Sequence, residues 1–294
     1  MMLNKMMKHY FPFILIFLFS CKTEMKNEKE MFLSLNEHKI HVKSSGSGSP
    51  IIFAHGGYLD LDMWNPQVKE FEGKHQLIRF SDLGHGKTEN SNQPLFGYEI
   101  INELTKSYPN DKFVLVGLSW GAMLCVDFAL NYPNKVEKLI LVSPGLNGWP
   151  YFKDSLAAKN NKLRQAAIKF ADTLKAAELF HQNWVIGPKR SKNELHDTFY
   201  STSLNMIYKN MRNHWQEEWS DLDTITARSR LENIQAPTYI LVGKKDAEDI
   251  ILITEEYHQR IKKSNKIELD SVAHLINLED EARFNKVLAN ILNE

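Results

Sequence analysis

The chain has 294 residues, 43% apolar and 24% charged, with Lys+Arg and Asp+Glu equal at 36, so its formal net charge is zero. That length suffices for one large core with an insertion, or for two small cores. The balanced charge gives no footprint for nucleic acid or an acidic polymer, and the two cysteines and eleven histidines fall in no zinc-type spacing.

The first segment reads as an export signal. Met1 to His9 carries Lys5 and Lys8 and no acid, and Tyr10 to Phe19 is almost wholly apolar. That run is shorter than the ~20 residues of a bilayer span and has the proportions of a signal peptide. Its end, Leu18-Phe19-Ser20-Cys21, resembles a bacterial lipoprotein signal, in which the cysteine is lipidated and becomes the first mature residue. The resemblance implies a lipoprotein signal peptide over residues 1–21 and a lipid anchor on Cys21. It also implies export to the cell envelope and attachment to a membrane. An ordinary signal cut nearby and an uncleaved anchor are the other readings. Residues 22–30 (KTEMKNEKE) are polar and read as a tether. With Cys21 on lipid no disulfide can form, and Cys125, in an apolar stretch, reads as a core residue.

From there strands and helices alternate. Met31–Leu35 and Lys39–Lys43 have the period-two pattern of half-buried strands about an Asn36-Glu37-His38 turn. Pro50–Ala54 is wholly apolar, as in a strand covered on both faces, and ends in His55-Gly56-Gly57-Tyr58. A helix over Leu61–Glu72 and a strand over His75–Phe80 follow, then the glycine-rich loop Ser81–Thr88 and a helix over Gly97–Tyr108. Phe113–Leu118 is an apolar strand that runs through Gly117-Leu118-Ser119-Trp120-Gly121 into an apolar helix. Val136–Val142 is the next strand.

The alternation then stops. Residues 146–226 hold helical runs (Ser155–Phe170, Asp172–Val185, Asn193–Asn213) and four of the six tryptophans, but no convincing strand. This stretch is expected to be a helical cap. Strands resume at Pro237–Val242 and Lys266–Leu269, with helices over Leu252–Lys263 and Glu279–Leu292. The whole predicts an α/β protein. Its core, residues 31–145 and 227–294, is a mostly parallel eight-stranded sheet with helices on both faces, and ligands sit at the strands' carboxyl ends.

Polar groups of one chemistry cluster at those ends. Gly-x-Ser-x-Gly between a strand and a helix reads as a nucleophile elbow, with Ser119 held over the helix N-terminus. A serine hydroxyl needs a base to remove its proton. His274, after the last strand, can do so, and a carboxylate on its far nitrogen would fix the tautomer. Asp246 lies just past its strand, and Asp249 and Asp270 lie nearby.

The combination of His55-Gly56-Gly57, Gly84-His85-Gly86, Gly117-x-Ser119-x-Gly121, Gly243-x-x-Asp246 and Ala273-His274 resembles the α/β-hydrolase superfamily over about 31–294. The resemblance implies Ser119 as nucleophile, Asp246 as acid and His274 as base. Backbone N–H groups of Gly57 and Trp120 would form the oxyanion hole, and no cofactor or metal would be needed. His55 and His85 are expected to be structural. The loop Ser81-Asp82-Leu83 departs from the family's usual Asp-x-Arg, its aspartate falling one place later. A serine at the elbow argues against haloalkane dehalogenases, which use aspartate. Trp120 is similar to proline iminopeptidases, but His55-Gly56-Gly57-Tyr58-Leu59 lacks their Pro-Gly. The expected activity is hydrolysis of a small, partly apolar ester. The alternatives are an aminopeptidase of the proline-iminopeptidase type, with Glu217 and Glu218 available to a substrate amine, and a non-catalytic binding lipoprotein on this fold.

Overall fold

A computed structural model describes residues 28–215 and 217–294. The signal sequence, Cys21 and most of the 22–30 tether lie outside the described residues. The apolar runs form one sheet in the order β1-β2-β4-β3-β5-β6-β7-β8. The strands are β1 (Lys29–Leu35), β2 (His38–Ser45), β3 (Ser49–Ala54), β4 (His75–Phe80), β5 (Phe113–Leu118), β6 (Val136–Val142), β7 (Thr238–Gly243) and β8 (Ser264–Leu269). β2 runs antiparallel to β1 and β4, and every pairing from β4 to β8 is parallel. β5 is buried at every position, which is why it reads as an unbroken apolar run instead of alternating.

β1 begins two residues before the expected strand, inside the polar stretch. Lys29 and Glu30 pair with Ser44 and Lys43 of β2. Charged residues fit there because an edge strand needs no apolar outer row. The Glu30 carboxylate meets the His41 ring at 2.7 Å and Lys87 at 2.6 Å, and the lysine ammonium holds it down at a pKa of about 2.

Helices α1 (Asn65–Phe71), α2 (Gly97–Lys106), α3 (Trp120–Asn131), α4 (Ser155–Lys169), α5 (Thr173–His181), α6 (Asp197–Asn213), α7 (Glu248–Arg260), α8 (Ile276–Glu279) and α9 (Glu281–Asn293) complete the chain. Two apolar layers sandwich the sheet. One packs Ile101, Leu104, Phe128 and Tyr257 from α2, α3 and α7, and the other packs Val68, Phe71, Phe284 and Leu288 from α1 and α9. α4 to α6 all lie between β6 and β7 in sequence. Aspartates start two of them. Asp154 accepts from the Leu156 and Ala157 N–H groups, and Asp172 accepts from Lys175, satisfying donors that a helix start leaves unpaired. Among the described residues no helix is long and apolar enough to cross a membrane.

Candidate active site

β5 delivers Ser119 and α3 leaves from it. Ser119 adopts φ 53°, ψ −107°, a conformation side chains rarely take, so the turn is sharp. The surroundings hold it there. Its N–H donates to Val142 O at 3.0 Å, and its carbonyl accepts from Gly145 N at 3.1 Å and Ala122 N at 3.1 Å. Gly121 shows why the pattern needs glycine after the serine. A Cβ there would lie 2.3 Å from the Ala54 carbonyl oxygen, and its N–H donates to His55 O at 3.0 Å. α3 is thereby seated directly on the end of β3.

The structure brings His274 and Asp246 together. The imidazole Nδ1 lies 2.8 Å from Asp246 Oδ2, and both residues are buried. The other carboxylate oxygen accepts from Ala247 N at 2.7 Å. His274 and Ser119 line one small cavity together with Gly57. The two other aspartates go elsewhere. Asp249 is fully buried and accepts from Trp149 Nε1 at 2.9 Å, Phe152 N at 2.9 Å and Lys153 N at 3.1 Å. Asp270 is exposed and pairs with Lys244 at 2.9 Å, which keeps its carboxyl below the usual range.

The loops after β3 and β4 are tied by histidines. His55 Nδ1 bonds Gly56 O at 2.8 Å, and its Nε2 accepts from Asp82 N at 2.9 Å. His85 Nδ1 bonds Leu83 O at 2.8 Å, and its Nε2 accepts from Tyr58 N at 3.1 Å. Each ring therefore uses one nitrogen as donor and one as acceptor, the neutral form. Burial pushes both rings below the usual histidine range. The displaced Asp82 has its own partners. Its Oδ2 accepts from the Trp120 indole at 2.7 Å and from Ser220 Oγ at 2.9 Å. Burial raises its carboxyl above the usual range. Asp82 thus joins the residue after Ser119 to the segment that follows α6.

The Gly57 and Trp120 N–H groups have no recorded partner among the described residues, whereas their neighbours Tyr58 and Gly121 do. Trp219 covers this corner. A Cβ on Gly57 would meet its indole at 2.7 Å. Its ring packs edge-on against Tyr58 at 4.9 Å and Trp120 at 5.0 Å.

Above Ser119 lies a cavity of about 410 Å³, the size that takes a small molecule. Its walls are chiefly aromatic, with Tyr58, Tyr151, Phe152, Phe180, Trp184 and Trp219 among them. Arg164 and Asn161 of α4 also line it. In the sequence neither stands out, since on α4 both look like any solvated polar residues. Glu217 and Glu218 line a different cavity of about 500 Å³ beyond Trp219, and Glu217 bonds His214 at 3.0 Å. Among the described residues no group of three His, Cys, Asp or Glu is arranged to hold a metal ion.

The profile of the family described as alpha/beta hydrolase fold matches residues 49–281. The chain belongs to this family. The alpha/beta hydrolase is 22% identical over 290 residues to Epoxide hydrolase 1 of Caenorhabditis elegans, covering 90% of this chain and 70% of that one. It is 26% identical over 214 residues to a proline iminopeptidase of Saccharolobus solfataricus, covering 67% and 68%. Other relatives are matched over as little as 15% of their own length. Among solved structures, an esterase of Exiguobacterium antarcticum superposes with a TM-score of 0.73 at 20% identity, covering 90% of this chain and 100% of that one. That likeness carries the fold alone.

Proposed function

We propose that this hydrolase cleaves an ester of a small, partly apolar molecule through an acyl-enzyme. The observation that carries the reading is the 2.8 Å bond from His274 Nδ1 to Asp246, with His274 on the wall of the cavity that holds Ser119. In this reading the His274 ring takes the Ser119 proton as Oγ bonds to the ester carbonyl carbon. The tetrahedral oxyanion accepts from the Gly57 and Trp120 N–H groups. The bond to the leaving oxygen then breaks, and His274 returns the proton to the departing alcohol. Water, deprotonated by the same ring, attacks the acyl carbon, and Ser119 leaves with the proton. Asp246 holds the ring in the tautomer that has Nε2 free, and stabilises the imidazolium. One oxyanion donor is worth about 3 kcal/mol of transition-state stabilisation.

The aminopeptidase alternative needs an acid for the substrate amine. Glu217 and Glu218 lie on the other side of Trp219, so the cavity over Ser119 supports the ester reading. A fluorophosphonate probe and an ester and prolyl-amide panel on wild type and Ser119→Ala test it. Labelling of Ser119 with ester turnover, both lost in Ser119→Ala, is the expected result. Full turnover by Ser119→Ala overturns it. Binding without turnover across the panel would favour a non-catalytic protein. The lipid anchor on Cys21 and a place in the cell envelope belong to the same proposal and rest on Leu18–Cys21. Mass spectrometry of the mature N-terminus checks them, and an unmodified Cys21 would remove the anchor.

A further inference from the structure

Among the described residues, the cavity over Ser119 has one charged side chain in its wall, Arg164, and no acid. Its recorded partners are all neutral oxygens. Nη1 donates to Tyr58 Oη at 3.1 Å, and Nη2 and Nε donate to Asn161 Oδ1 at 2.9 and 3.3 Å. A guanidinium carries five N–H donors in a fixed fork. Three are used to aim it, one against an oxyanion-loop residue and two against its own helix. Among the described residues this leaves one N–H on each terminal nitrogen free to donate to an anion. The rest of the wall is largely aromatic, which lowers the local dielectric and strengthens any charge pair formed there.

We propose that Arg164 is a specificity residue for an anionic group on the substrate. The substrate class is then an ester whose acyl part ends in a carboxylate, such as the half ester of a short dicarboxylic acid. Ser119 attacks the ester end while Arg164 holds the other. The neutral Asn161 and Tyr58 orient the fork without spending its charge. This inference rests on the ester-hydrolase reading above, since it assigns the other half of the same substrate.

The test compares p-nitrophenyl hydrogen glutarate with p-nitrophenyl pentanoate, a neutral ester of similar length. Wild type is expected to favour the anionic ester at least tenfold in kcat/KM, mostly through KM, as one charge-assisted pair gives about ten- to hundredfold. Arg164→Gln removes the preference. Arg164→Lys, which keeps the charge but loses the fork, retains part of it. Lys162→Gln on the exposed face of α4 keeps it whole and controls for bulk charge. A wild-type ratio near one, or a ratio that survives Arg164→Gln, overturns the proposal.

Calorimetric titration of Ser119→Ala with the uncleaved half ester separates the two readings. If Ser119→Ala binds the half ester selectively and wild type cleaves neither ester, the anion site stands and the hydrolase reading fails. If wild type reacts with fluorophosphonate and cleaves both esters equally, the hydrolase reading stands and the anion site fails.

Discussion

Three aspartates crowd the ends of β7 and β8, and the structure gives each a different fate under the same change to asparagine. Asp246→Asn keeps an oxygen for Ala247 N, which now sits at 2.7 Å, so the fold loses little. The amide, however, can hold His274 in the wrong tautomer. That typically costs about ten-thousandfold in turnover, roughly 5 kcal/mol. Asp249→Asn does the reverse. The residue is fully buried and its two oxygens take an indole N–H at 2.9 Å and backbone N–H groups at 2.9 and 3.1 Å. An amide replaces one oxygen by a donor that must face another donor. The cost is about 3 kcal/mol for unpaired buried groups, or roughly 5 °C in Tm for a chain of this size. Asp270→Asn, at an exposed ion pair, changes neither reading. The assay is p-nitrophenyl ester turnover beside thermal unfolding by circular dichroism on the three variants. A catalytically dead Asp249→Asn that melts like wild type, beside an Asp246→Asn within tenfold of wild-type turnover, refutes the assignment.

Gly121→Ala places a Cβ 2.3 Å from a backbone oxygen that cannot move without dragging β3. It should cost about 3 kcal/mol through overpacking and the strained bond to His55 O, read as a Tm loss of roughly 5 °C, and an unchanged Tm would refute the close contact. Trp219→Ala should join the cavities of about 410 and 500 Å³ that its indole divides, so longer acyl chains become substrates. An unchanged chain-length profile would show that the tryptophan is no partition. Burial raises the Asp127 carboxyl from 3.8 to about 6. Between those values the folded chain keeps a proton that the unfolded chain has released, so stability falls as pH rises from about 4 to 6 and stays lower above. A rise from 3.8 to about 6 bounds the effect at roughly 3 kcal/mol. Asp127→Asn should therefore raise Tm at pH 8 and leave it unchanged at pH 4, and an equal shift at both values would refute the linkage.

How far the sequence led depended on whether a signal was local. The elbow was legible because an apolar strand, two glycines and an apolar helix fall within one short stretch. The sheet was legible for the same reason, except that β1 reaches back into Lys29 and Glu30, whose charges look like a tether until β2 is beside them. Asp246 and Asp249 are three residues apart after the same strand, and only the turn of α7 decides which faces His274 and which faces Trp149. Arg164 was illegible because α4 also carries Lys159, Lys162 and Lys169. Nothing in their spacing says which cation points under the helix. Asp82 looked like a misplaced family residue, and its partner Ser220 is 138 positions away.

The backbone at Ser119 carries a further consequence for anyone stabilising this protein. A side chain at φ 53°, ψ −107° is held against its own preference, at a general cost of about 1 to 3 kcal/mol. Glycine would relax there at no steric penalty. Selection for heat resistance alone would therefore drift toward glycine at position 119 and return a sturdier molecule with no hydroxyl at the turn. If Ser119 is the nucleophile proposed above, thermal screens of this chain need an activity gate at that one position, because the fold and the proposed chemistry pull there in opposite directions.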